Sequence, residues 1–139
     1  MEVNETTMFN SLRPLLGEGE KLLCPVYAKI SKQTKRMTVA TSDYAYISVT
    51  NKGRLLMYRF DTAVSYSEIY NLTALIFGEL NKLQSTGIYS AELSFLDDNG
   101  QQKDINISID PQPKGMALQL PNQNKYADKI YNILNKLIS

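Results

Sequence analysis

Residues 44–60, YAYISVTNKGRLLMYRF, place two segments rich in β-branched, aromatic and aliphatic side chains on either side of Asn51-Lys52-Gly53. This pattern predicts a β-hairpin with a three-residue loop, closed by a glycine that accepts the left-handed conformation without steric cost. Loop length sets the register. Val49 then faces Leu55 and Ile47 faces Met57 on one side, with Tyr46 opposite Tyr58 and Tyr44 opposite Phe60 on the other. One face is aliphatic and the other aromatic, so each needs a cover. A second hairpin lies in residues 88–109, IYSAELSFLDDNGQQKDINISI. A two-residue Asn-Gly turn would set Leu93 against Asn106 and mix greasy with polar side chains, so the register favours a loop of Asp98, Asn99 and Gly100. Leu93 then pairs with Ile105, Ala91 with Ile107 and Tyr89 with Ile109. Ser90, Glu92, Ser94, Asn106 and Ser108 share the opposite, wet face, as in an antiparallel sheet buried on one side.

The flanking segments are read the same way. Residues 1–7 are polar and expected to fray, while Met8, Leu12, Leu15 and Leu16 recur near helical spacing until Pro14 cuts the helix short. KLLCPVYAKI, residues 21–30, reads as a strand whose proline confines it to an edge, a bulge or a strand start. Residues 62–83 mix strand and helix periods; strand is favoured before Ile69, and residues 72–83 stay open between strand and helix. MALQL, residues 116–120, is expected as a last short strand ended by Pro121. In the tail, residues 122–138, Tyr126, Ile130, Ile133, Leu134, Leu137 and Ile138 form one helical stripe, with Asn122 or Asn124 as cap and Lys136 at the negative end of the dipole. The stripe must bury itself on the sheet. The expectation is one mainly β (α+β) domain over residues 1–139, an antiparallel sandwich or partial barrel of about seven strands with a short N-terminal helix and a capping C-terminal helix.

Composition narrows the chemistry. A chain of 139 residues supports one core. Fifteen basic against fourteen acidic residues leave a net charge of +1, so no global field draws in nucleic acid or an anionic membrane, and any anion site is local. The start lacks the apolar run of a signal peptide, and no eighteen consecutive apolar residues occur, so a soluble cytoplasmic protein without a transmembrane segment is expected. With no histidine there is no Ser-His-Asp triad, Cys-His pair or imidazole ligand. The single cysteine, Cys24, sits in an apolar run and reads as a core residue. No G-x-x-x-x-G-K-[ST] or G-x-G-x-x-G phosphate loop occurs among the glycines. Asp97 and Asp98 stand beside Asn99-Gly100, where turn formation accounts for them. No enzyme activity, cofactor or metal is expected.

Two residue sets remain as candidate sites. Lys29, Lys32, Lys35 and Arg36 put four positive charges in eight residues, either as a solvated loop or as an anion site working through charge-assisted hydrogen bonds. Tyr44, Tyr46, Tyr58 and Phe60 form the aromatic face of the first hairpin, either covered by the leading helix or offered to a protein partner or a second copy.

The order of elements resembles the pleckstrin-homology (PH) superfold, a strongly bent sheet sandwich whose open end is plugged by the C-terminal helix. More narrowly, LLGEGEKLL (residues 15–23) and Thr50-Asn51-Lys52-Gly53-Arg54-Leu55 resemble the "GE" segment and "T-N-K-R-L" hairpin of bacterial PH-like and GRAM-like domains, with Gly53 as an insertion. The closing helix has no tryptophan, which departs from the eukaryotic pattern and points to a bacterial-type relative. The resemblance implies a non-catalytic module that binds protein or self-associates. Its alternative is a phosphoinositide or anionic-membrane binder using Lys29, Lys32, Lys35 and Arg36, although the last two are adjacent where the family separates them and on a strand would point to opposite faces. Nucleic acid ranks below both.

Overall fold

The computed structural model describes residues 3–32, 41–60 and 65–138, with backbone alone at Lys32, Thr41, Ser42 and Ser65. Helix α1 (Glu5–Leu12) is followed by strands β1 (Val26–Lys32), β2 (Thr41–Val49), β3 (Arg54–Phe60), β4 (Ser65–Asn71), β5 (Leu75–Lys82), β6 (Tyr89–Leu96) and β7 (Gln102–Ile109), then helix α2 (Gln123–Ile138). All seven strands belong to one antiparallel sheet in the order β4-β3-β2-β1-β7-β6-β5. The chain is therefore mainly β with two helices.

Both hairpins keep the expected registers. Val49 pairs with Leu55, Ile47 with Met57, Tyr46 with Tyr58 and Tyr44 with Phe60. Leu93 pairs with Ile105, Ala91 with Ile107 and Tyr89 with Ile109. Each loop has three residues and ends in a left-handed glycine, Gly53 at φ 73° and Gly100 at φ 77°.

The sheet is bent, and its ends meet without closing. Tyr70 on β4 and Phe95 on β6 are separated by five strand steps, which in a flat sheet would span about 24 Å. Their ring centroids are 4.9 Å apart. Inward-facing Val26, Ile30, Ile47, Leu55, Met57, Leu93 and Ile107 therefore share one core, closed by Ala127, Ile130 and Leu134 of α2. A second, smaller core lies on the outer face, where Met8 and Leu12 of α1 and Leu120 cover Tyr46 and Leu56.

Three expectations need correction. Residues 3–7 do not fray: Asn4 caps α1 by accepting the Thr7 N–H at 2.8 Å and the Thr7 hydroxyl at 2.9 Å, and the Glu5 N–H donates to the Gln119 carbonyl at 3.0 Å. MALQL is a chain of turns with Leu118 92% exposed, because the Leu120 N–H returns to Met116 and the Met116 N–H to Pro113. In the C-terminal stripe Leu137 stands exposed, and Gln123 takes a buried place instead. The segment left open, residues 72–83, is a 3-10 turn followed by β5, an edge strand with a bulge between Leu75 and Phe77. Pro25 immediately precedes β1, so the strand-start reading of that proline holds and β1 is central.

Candidate functional site

The aromatic set divides under the N-terminal cover. Tyr46 is fully buried, its ring 4.7 Å from Phe60 and 6.5 Å from Tyr58, and burial pushes its hydroxyl up to about 12. Tyr58 and Phe60 are half-buried beneath the same cover. Tyr44 is 46% exposed and stacks flat on Tyr27, with centroids 5.3 Å apart. Tyr46 is thus a core residue of the outer face and not part of its surface.

The basic set meets the aromatic one at a single point. Lys29 is exposed on β1 directly opposite Tyr44. It lines a shallow groove of about 380 Å³ with Lys114, Tyr27 and Asp110. The Lys32 side chain, Lys35 and Arg36 lie outside the described residues.

The two stretches that carry the family resemblance join each other. The Glu20 carboxylate accepts the Gly17 N–H at 2.8 Å, the Thr50 hydroxyl at 2.6 Å, the Arg54 Nε at 2.8 Å, and Arg54 Nη2 as an ion pair. Arg54 Nη2 also donates to the Leu15 carbonyl, and Asn51 Oδ1 accepts the Lys21 N–H at 2.7 Å. These contacts staple the entry segment to the first hairpin. Their role is architectural, as is that of Cys24, whose thiol burial pushes up.

Sequence reasoning missed the exposed apolar side chains at the two ends of the sheet. β4 and β5 end the sheet, and among the described residues no strand pairs with their outer edges. Ile69 on β4, Ile76 and Phe77 on β5 and Leu96 on β6 are 45%, 50%, 53% and 44% exposed. Between β4 and the β6–β7 hairpin lies a cleft of about 410 Å³, floored by Tyr70 and Phe95 and edged by Ile69, Leu96 and Ala74. Among the described residues, Glu68, Asp97, Asp98, Asp104 and Lys103 are the charged side chains that line it. Asp97 Oδ1 also accepts the Asn99 and Gln101 N–H groups, the turn role expected of it. The Tyr70 hydroxyl donates to Glu68, and burial raises its pKa.

Beside the cleft, Arg59 is buried on the core face of β3. Its Nη1 donates to the Tyr66 hydroxyl at 3.0 Å, and its Nε lies 2.9 Å from Glu68 Oε1, an ion pair without hydrogen-bond alignment. The pairing offsets the cost of burying the guanidinium. Among the described residues, no three His, Cys, Asp or Glu side chains come together as a metal-binding group, and no helix is long and apolar enough to cross a membrane. No protein-family model matches the chain, and no curated protein matches it.

Proposed function

We propose that this chain is a non-catalytic, PH-like binding module that takes a protein partner along the open edges of its bent sheet. The observation that carries the reading is the set of exposed large apolar side chains, Ile69, Ile76, Phe77 and Leu96, near the outer edges of the two terminal strands, which no other strand pairs with among the described residues. An unpaired strand offers backbone donors and acceptors to an added strand, and apolar side chains beside it supply contact area. The observed order of a leading helix, seven antiparallel strands and a closing helix supports the PH-like part of the proposal. A bacterial, cytoplasmic setting belongs to the same reading and rests on the sequence expectations.

The test is selection of a random displayed peptide library on the immobilised full chain, followed by hydrogen exchange with each winning peptide. Protection is expected on β4, at residues 75–77 and at Leu96, and it should disappear in the double variant Ile76→Lys, Phe77→Lys. Failure to select any peptide, or protection that avoids both edges, would reject the reading.

A second reading, an anionic lipid or phosphoinositide at the basic segment, draws support from Lys29 and Lys114 facing one groove beside exposed Tyr44. Liposome sedimentation decides it.

A further inference from the structure

We infer that the chain pairs with a second copy of itself through β5, antiparallel across a two-fold axis that passes beside Leu80. The inference rests on the protein-binding reading and names its partner.

The Leu83 N–H donates to the Ile88 carbonyl at 2.9 Å, which sets the phase of the β5–β6 ladder. In an antiparallel pair the backbone groups of alternate residues turn to opposite sides. Glu79, Asn81 and Leu83 therefore bond toward β6, while Gly78, Leu80 and Lys82 direct their N–H and C=O groups to the open edge. Among the described residues no strand meets them there. The bulge lies between Leu75 and Phe77, so residues 77–83 form a regular stretch. Its side chains divide by face. Gly78 and Leu80 turn to the core, where a Cβ on Gly78 would meet Ile138 of α2. Phe77, Glu79, Asn81 and Leu83 alternate with them on the outer face and are exposed, Phe77 and Leu83 by 53% each.

Two-fold symmetry limits how this stretch can meet itself, because one residue must stand opposite its own copy. Centred on Leu80, the pairing uses residues 77–83 in full. Phe77 then faces Leu83 at both ends of the outer face, Glu79 faces Asn81, Gly78 faces Lys82, and Leu80 meets Leu80. No like charges stand opposite each other. Moved one position toward the N-terminus, the pairing centres on Glu79, which already faces Glu92 of β6, and sets it against a second glutamate. Moved one position toward the C-terminus, it sets Leu83 against Glu79 and leaves Phe77 without an apolar partner. Larger shifts shorten the overlap. The outer face asks its partner for an order of apolar, polar, polar and apolar side chains, and β5 itself supplies that order. This self-complementarity favours a second copy over a strand of different sequence.

The experiment is sedimentation equilibrium of the full chain from about 10 μM to about 1 mM, joined to isotope-filtered NOE spectra of mixed labelled and unlabelled copies. A monomer–dimer equilibrium is expected, with an intermolecular contact between the Hα protons of Glu79 and Asn81, which lie close in a non-hydrogen-bonded pair. Asn81→Lys sets an ammonium against Glu79 of the other copy and should tighten the dimer at least threefold. Asn81→Glu should weaken it at least threefold, and both differences should shrink as salt rises. Asn81 is exposed, and the spectra verify that both variants fold. A dimer that lacks this NOE, or that is indifferent to both variants, would overturn the inference by placing the interface elsewhere. A chain that stays monomeric at the highest concentration would overturn it as well. Displayed peptides that still protect β4 or residues 75–77 would then leave the protein-binding reading standing, and failure to select any peptide would remove both.

Discussion

Glu20 binds donors from two distant stretches of the chain, and its ionisation is set by them. The hydrogen bond from Arg54 is the largest cause that brings its pKa from 4.5 to about 2, against the upward pull of burial. The folded pKa lies below the unfolded one, so the carboxylate's stabilisation is complete above about pH 4.5 and is lost as pH falls through 2. Glu20→Gln keeps the shape and removes the charge. It should cost roughly 2 kcal/mol at neutral pH, the scale of hydrogen bonds to a charged group. Urea midpoints taken from neutral to acid pH should show the gap between variant and parent narrowing on the acid side, and a gap that stays constant would contradict this account. Gln123 does comparable work for β1. Its side-chain amide accepts the Tyr27 N–H at 3.0 Å and donates to the Tyr27 carbonyl at 2.8 Å, just before residues 29–31, where β1 pairs with β7 among the described residues. Gln123→Ala would leave both backbone groups without these partners, for a loss of roughly 2 kcal/mol and faster exchange of the Tyr27 amide. Unchanged exchange there would show that water replaces the side chain at no cost.

The closing helix reaches the edge strand through a missing side chain. A Cβ added at Gly78 would lie 2.5 Å from Ile138 Cδ1 and 2.6 Å from Cγ1, so the glycine makes room for the end of α2 on β5. Gly78→Val should destabilise the fold by roughly 1–3 kcal/mol, the usual range for overpacking. Adding Ile138→Ala should restore part of that loss, because one steric conflict underlies both terms of the cycle. Strictly additive thermal-denaturation results would place the strain elsewhere. β5 also explains where sequence legibility stopped. Hairpin registers follow from loop length and from side chains within a few positions, so Ile47–Met57 and Leu93–Ile105 were readable directly. In β5 the bulge turns both Ile76 and Phe77 outward, which breaks the two-residue period that identifies a strand. The cover over Tyr46 was readable only as one of two alternatives, the leading helix that carries Met8 and Leu12; the contribution of Leu120 was not, because it comes from far along the chain in a segment expected to be a strand. Leu12→Ala should therefore act on the outer face, costing roughly 3 kcal/mol by opening a cavity beneath α1, with the Tyr46 ring-proton NMR resonances as the local readout. Loss of stability without a change in that signal would argue against the contact.

Across the whole molecule, a net charge of +1 conceals two surfaces of opposite sign. The cleft between the sheet ends is acidic, while Lys29 and Lys114 face a separate groove on the outer side of β1. Summed charge cannot reveal such a separation. The cleft draws on residues 68–71, 74, 95–98, 103 and 104, which become neighbours only when the sheet bends far enough for Tyr70 to meet Phe95. The separation also sets what membranes should do. A lysine near an anionic bilayer contributes about 1 kcal/mol, so the two lysines of the groove supply roughly 2 kcal/mol, too little to hold the protein without help from Lys32, Lys35 and Arg36. Under the protein-binding reading, the chain should sediment weakly with anionic liposomes at low salt and stay in solution at about 0.3 M salt, where the screening length falls below 10 Å. The variants Lys29→Glu with Lys114→Glu, and Lys32→Glu with Lys35→Glu and Arg36→Glu, should change this little. Sedimentation that survives the higher salt and vanishes in either variant would move the functional face from the sheet edges to the basic side of the molecule.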